Sequence, residues 1–99
     1  MKLELLIGDA KGTEENALAE AFRHIQGGSV ALIGAETSGQ TIAVSRWLSL
    51  PLIDRVLIGH SATSPELSDN RFSKFLRTCA SDNIRAEAMA KLMKGLLFD

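Results

Sequence analysis

The chain has 99 residues, 45% of them hydrophobic and 23% charged, with a formal net charge of −1. This is the composition of one globular domain at the small end of what folds alone, and not of a disordered segment. The near-zero charge, the absence of tyrosine and a single tryptophan argue against a basic, stacking surface built to hold nucleic acid.

Taken in chain order, Leu3–Ile7 is a short apolar run closed by Gly8-Asp9 and reads as a buried strand. A charge inside the apolar stretch of Met1–Asp9, and the lack of a cleavage pattern, separate this start from a secretory signal. Lys11-Gly12 makes a turn. Thr13 is the expected N-cap of a first helix, with Glu14 and Glu15 where the helix dipole favours anions. Ala17, Leu18, Ala21, Phe22 and Ile25 recur at helical spacing, and Gly27-Gly28 stops the helix. Ser29–Ile33 is a second buried strand, closed by Gly34. The loop Ala35–Gly39 opens a second helix carrying Ile42, Ala43, Trp47 and Leu48, which ends before Pro51. Arg55–Gly59 is a third strand, and His60–Asp69 a polar loop rich in serine, threonine and proline. Phe72–Cys79 reads as a turn followed by a strand at Phe75–Cys79. Ser81 or Asp82 then caps a last helix with Ile84, Ala88, Met89, Leu92 and Met93 on its apolar face. No apolar run approaches the roughly 20 residues that cross a bilayer.

Unbroken apolar strands alternating with helices imply an α/β fold, a parallel sheet with helices on both faces. Ligands of such sheets bind beyond the carboxyl ends of the strands. Those ends are Gly8-Asp9, Gly34–Gly39 and Gly59–Ser64, and the last two carry small hydroxyl residues.

Gly34-Ala35-Glu36-Thr37-Ser38-Gly39-Gln40-Thr41 has the glycine spacing and final threonine of a P-loop, but Gln40 stands where the phosphate-binding lysine belongs. Glu36 also puts an acid where polyphosphate would lie. A plain strand-to-helix turn needs the same small residues. A site for a smaller anion is the remaining reading: free N–H groups at a helix N-terminus, with the Thr37 and Ser38 hydroxyls, suit a carboxylate. His60-Ser61 is not a catalytic pair on this pattern, because adjacent side chains rarely face each other and no nucleophile elbow is present. His24 reads as an exposed helix residue. Met89 and Met93 read as core, and Cys79 as an inert buried thiol. A single cysteine leaves nothing for an internal disulfide or a cysteine-based zinc site, and no His/Asp/Glu cluster has metal spacing.

The stretch from Ser61-Ala-Thr-Ser-Pro-Glu-Leu-Ser-Asp69, through the Arg77-Thr78 strand, to Ser81-Asp82 and the Ala88-Met89 helix resembles the ligand-binding region of family C G-protein-coupled receptors. Metabotropic glutamate receptors are the best-known members. Val30–Gly34 with Thr37-Ser38 is similar to that family's strand, glycine and serine-rich loop, and Leu5–Asp9 to the wider type I periplasmic-binding-protein fold. His60 stands where the family commonly has an aromatic residue, and Cys79-Ala80 where it has Val-Pro.

The resemblance covers nearly the whole chain, most closely Gly34–Met93. It implies a partial lobe of a type I periplasmic-binding-protein-like clamshell, one partial domain over residues 1–99 from the middle of the first lobe. The implied function is recognition of a small amino-acid-like ligand, in G-protein-coupled receptor signalling, at the extracellular face of the plasma membrane. The parent would be dimeric and membrane-anchored. The implied ligand residues are Ser38, helped by Thr37, and Ser61, Ala62 and Thr63. No catalytic residue, metal, cofactor or nucleic-acid partner is implied. With one half of a clamshell present, the isolated chain is expected to self-associate. Within the fold, the alternatives are an amino-acid-binding protein of a transporter or a receptor guanylate cyclase ectodomain. From a different class, the alternative is a degenerate P-loop nucleotide binder.

Overall fold

The computed structural model describes residues 2–97 apart from residue 70. Helix α1 (Glu14–Gln26) leads to strand β1 (Ala31–Ile33), then α2 (Ser38–Leu48), β2 (Val56–Gly59), a 3₁₀ turn (Pro65–Ser68), β3 (Phe75–Arg77) and α3 (Asp82–Leu97).

The helix ends follow from local chemistry. The Thr13 hydroxyl accepts from the Asn16 amide at 3.1 Å, satisfying one of the orphan donors of α1. Glu14 and Glu15 occupy its first turn, Arg23 and His24 its last, the placement the helix dipole favours. Gly27 caps the helix, and Gly28 turns the chain with φ +97°, a conformation other residues resist. At the start of α2, Thr37 and Gln40 form a capping box: the Thr37 hydroxyl accepts from the Gln40 amide at 3.3 Å, and Gln40 Oε1 accepts from the Thr37 amide at 3.4 Å.

The three strands are parallel in the order β1-β2-β3. Leu32, Leu57 and Phe75 lie in one row, and Ile33, Ile58 and Leu76 in the next. Alternation sends these rows to opposite faces. Leu57 and Phe75 join Ala17, Ala21, Val44, Leu48, Ala62, Leu67 and Phe72 in a single core, with Leu32 packed at its margin. Phe22 and Trp47 close the α1–α2 contact, their ring centroids 6.0 Å apart.

The α/β class and the parallel sheet are as expected, but the strand expected over Ser29–Ile33 forms only at Ala31–Ile33 and is not buried, with Val30 and Ile33 82% and 70% exposed. Two larger differences concern the N-terminal run and the cover of the sheet. Leu3–Ile7 is not a buried strand. It lies in no strand, and Leu3, Leu5 and Ile7 are 90%, 76% and 83% exposed. A single apolar run becomes a buried strand only where a sheet edge takes its backbone groups and a second layer covers its side chains. Here the run stands off from the outer edge of β1. Gly8 sits so close to α1 that a Cβ there would run into the Glu20 carboxylate. Between this run, α1 and β1 lies a cavity of about 490 Å³ lined by Leu3, Leu5, Ala17, Ala21, Leu32 and Ile33 among others.

The second difference concerns cover. Helices α1 and α2 cover the face of Leu57 and Phe75. On the other face Ile33 and Leu76 are exposed. Every described side chain of α3 over residues 82–96 is exposed, including Ile84, Met89, Leu92 and Met93. The apolar stripe of α3 is therefore present, but it meets no core.

Candidate functional site

All three strands run the same way, so the loops after β1 and β2 emerge at one edge. Gly34 leaves β1 with φ +144°, a backbone conformation open to glycine. The chain then folds under the first turn of α2. The Thr41 hydroxyl bonds the Thr37 carbonyl at 2.8 Å and the Ala35 amide at 3.2 Å. Gln40 and Thr41 are 2% and 0% exposed. Both side chains are thus consumed in shaping the turn. In a P-loop the equivalent lysine and threonine face phosphate and magnesium; here the pattern serves a capped strand-to-helix turn.

The expected ligand residues come together. The Ser38 hydroxyl accepts from two consecutive amides of the neighbouring loop, Thr63 at 3.2 Å and Ser64 at 3.1 Å. The Ser61 hydroxyl donates to the Glu36 carbonyl at 2.7 Å, tying the same two loops a second time. Ala62 between them is fully buried. Thr37 lies at the same edge, with its hydroxyl oxygen engaged as the helix cap.

A serine hydroxyl has two acceptor lone pairs and one donor proton. Two amides take the Ser38 lone pairs, which leaves its proton for an outside acceptor. The Ser38 and Gly39 amides are the first two of α2 and have no acceptor within the helix. The Thr63 hydroxyl makes no hydrogen bond among the described residues. The edge therefore offers hydroxyl and amide donors, the chemistry that receives a carboxylate. An acid stands against it: the Glu14 carboxylate on α1 lies beside Gly39, whose Cβ, if present, would be 2.8 Å from Glu14 Oε1. Glu36 and His60 at this edge are exposed. The Ser61 proton is given to a backbone carbonyl and not to His60.

Sequence reading missed Arg77. Its Nη1 donates to the Ala62 carbonyl at 3.2 Å and the Ser64 carbonyl at 2.9 Å, and its Nη2 donates to the Ser68 hydroxyl at 2.6 Å. The signal was available. Arg77 is two residues from Phe75 in a strand, hence on the covered face, and a charge there must find partners. The amide of Asp82, the first residue of α3, also donates to the Thr63 carbonyl at 2.7 Å. Cys79, read as inert and buried, is part-buried and donates to the Ala62 carbonyl at 3.2 Å. Among the described residues no His/Cys/Asp/Glu group is arranged to hold a metal, and no helix is long and apolar enough to cross a membrane.

Comparison with known proteins bears on the family of the chain. The chain is 46% identical over 65 residues to the human G-protein coupled receptor family C group 6 member A, which spans 65% of this chain and 7% of the receptor. It is 38% identical over 68 residues to rat metabotropic glutamate receptor 4, spanning 68% of this chain and 7% of that protein. A bacterial relative, the Leu/Ile/Val-binding protein BraC3 of Rhizobium johnstonii, is 30% identical over 90 residues, 91% of this chain and 24% of the relative. The chain thus spans a small part of the curated relatives it matches. The profile described as the receptor family ligand binding region matches residues 1–98, and with nearly the whole sequence inside that match, the chain belongs to this family of receptor ligand-binding regions.

Proposed function

We propose that the chain supplies one wall of a binding site for a small amino-acid-like ligand, at the edge where Ser38, Ser61, Ala62 and Thr63 meet, with Thr37 and the first turn of α2 beside them. The observation that carries this reading is the Ser38 hydroxyl. Its acceptor positions are filled by Thr63 and Ser64, so its proton and the adjacent free amides remain to receive a carboxylate. The names of the relatives point the same way, one to leucine, isoleucine and valine and one to glutamate. The parent role is ligand recognition by a family C receptor, membrane-anchored and dimeric, with the site facing the outside of the cell. A transporter-type amino-acid-binding protein is the second reading, favoured by the longer span of the match to the bacterial relative.

Ligand pockets of this kind bury some 70 to 90% of their ligand, which one wall cannot do. Titration of the 99-residue chain with L-glutamate and L-leucine, followed by amide shifts, is expected to show weak binding in the millimolar range, about −4 kcal/mol. The shifts should centre on Ser38, Gly39 and Thr63. Saturable, magnesium-dependent ATP binding, or amino-acid shifts confined to another part of the molecule, would overturn the proposal.

A further inference from the structure

We propose that Arg77 is the positioning residue of the Ser61–Ser64 loop, the group that presents the Thr63 and Ser64 amides to Ser38. The inference rests on the reading of that edge as a ligand site, and it adds the part that shapes it. The loop bonds outward on alternate groups. The amides of Thr63 and Ser64 go to Ser38, and the carbonyls of Ala62 and Ser64 go to one nitrogen of Arg77. A peptide unit held at both its N–H and its C=O has little freedom to turn. The Ala62–Thr63 unit is held between Arg77 and Ser38, and the next unit, Thr63–Ser64, between the Asp82 amide and Ser38, with Arg77 fixing the carbonyl that follows it. The second nitrogen bonds the Ser68 hydroxyl, in the 3₁₀ turn that follows the loop, and so pins the loop's far end.

The strand is built to let the side chain through. Arg77 pairs in register with Gly59 of β2. A Cβ on Gly59 would lie 2.8 Å from the Phe75 ring and 3.6 Å from Arg77 Cβ. The missing side chain therefore lets β3 carry both groups over the β2 terminus and onto the loop that follows it. The guanidinium has no carboxylate partner among the described residues. Two of its nitrogens reach two carbonyls and a hydroxyl at once, and the planar fork holds those donors at a fixed spread that the single nitrogen of an ammonium on a flexible stem does not supply.

The test is amide hydrogen exchange on the full chain, comparing wild type with Arg77→Lys, Arg77→Met and Ser68→Ala. The expected result is faster exchange of the Thr63 and Ser64 amides by about tenfold or more in both Arg77 variants, the scale of losing charge-assisted bonds. Ser68→Ala should shift the same amides in the same direction by less. The Leu57 and Thr78 amides, which bond Lys74 and Gly59 in the ladder, should keep their wild-type rates. Unchanged Thr63 and Ser64 amides, or equal acceleration everywhere, would overturn the proposal, the second by making Arg77 a general stabiliser. If Arg77→Met does not fold, Arg77→Lys and Ser68→Ala still decide. The readout needs no ligand. A wild-type chain whose shifts do not respond to L-glutamate or L-leucine would therefore refute the ligand site and leave the positioning result standing.

Discussion

Ser38 joins two loops through one oxygen, so its removal should be felt twice. Ser38→Ala leaves the Thr63 and Ser64 amides without their acceptor in a part-buried place. A cost of about 1–3 kcal/mol in stability is expected, the scale of an unsatisfied group, measurable by urea denaturation. The same change removes the donor proposed for the ligand carboxylate, and a further loss of about 1–3 kcal/mol in affinity is expected wherever the whole site can be titrated. Stability lost with affinity unchanged would take Ser38 out of the site and leave it as a loop tie. Glu14 provides the complementary experiment. Its carboxylate stands beside the first turn of α2, and Glu14→Gln should strengthen carboxylate binding by about two- to fivefold at low salt, the usual strength of one charge at a helix end. Titration with acetate and with L-leucine reads this directly. No gain would mean that the ligand anion does not approach that turn.

At the scale of elements, the α2 turn shows why a sequence motif misleads when its side chains face inward. Replacing Gln40 with lysine restores the P-loop spelling but puts an ammonium where a 2% exposed amide completes the capping box. Gln40→Lys is therefore expected to lower the melting temperature and to create no ATP binding. Thr37→Ala should cost about 1 kcal/mol through the lost cap. Most elements were legible because their signals are local. Thr13 with two following glutamates, Gly27-Gly28, and the runs before Gly34 and Gly59 each fix a boundary within a few residues. The meeting of Ser38 with the Ser61–Ser64 loop was legible too, through strand direction and the family resemblance. What could not be read locally was cover. Leu3–Ile7 and the stripe of α3 have the composition of buried elements, but burial depends on a neighbour in space. The role of Arg77 is likewise non-local: a strand signal gives the face of the side chain, and its partners at Ala62, Ser64 and Ser68 are supplied only by the folded loop.

The whole molecule measures 57 × 31 × 25 Å with a radius of gyration of 16.2 Å, against about 13 Å for a compact domain of this length. The excess reflects surfaces that meet nothing among the described residues. The outer edge of β1 has no paired strand, Ile33 and Leu76 are 70% and 62% exposed on the open face, and Leu92 and Leu96 on α3 are 57% and 74% exposed. An unpaired edge templates pairing with another chain, and contiguous apolar surface favours association. The isolated chain is therefore expected to self-associate as its concentration rises, which light scattering on the purified protein measures. Two substitutions separate the surfaces responsible. Leu76→Lys places a charge on the open sheet face and Leu92→Lys one on α3, both at exposed positions where lysine costs the fold little. If the sheet face drives association, the first should shift it toward monomer and the second should not; if α3 does, the order reverses. A wild-type chain that stays monomeric at high concentration, and that binds an amino acid at micromolar levels, would show that these surfaces need no cover and that one wall suffices for the site.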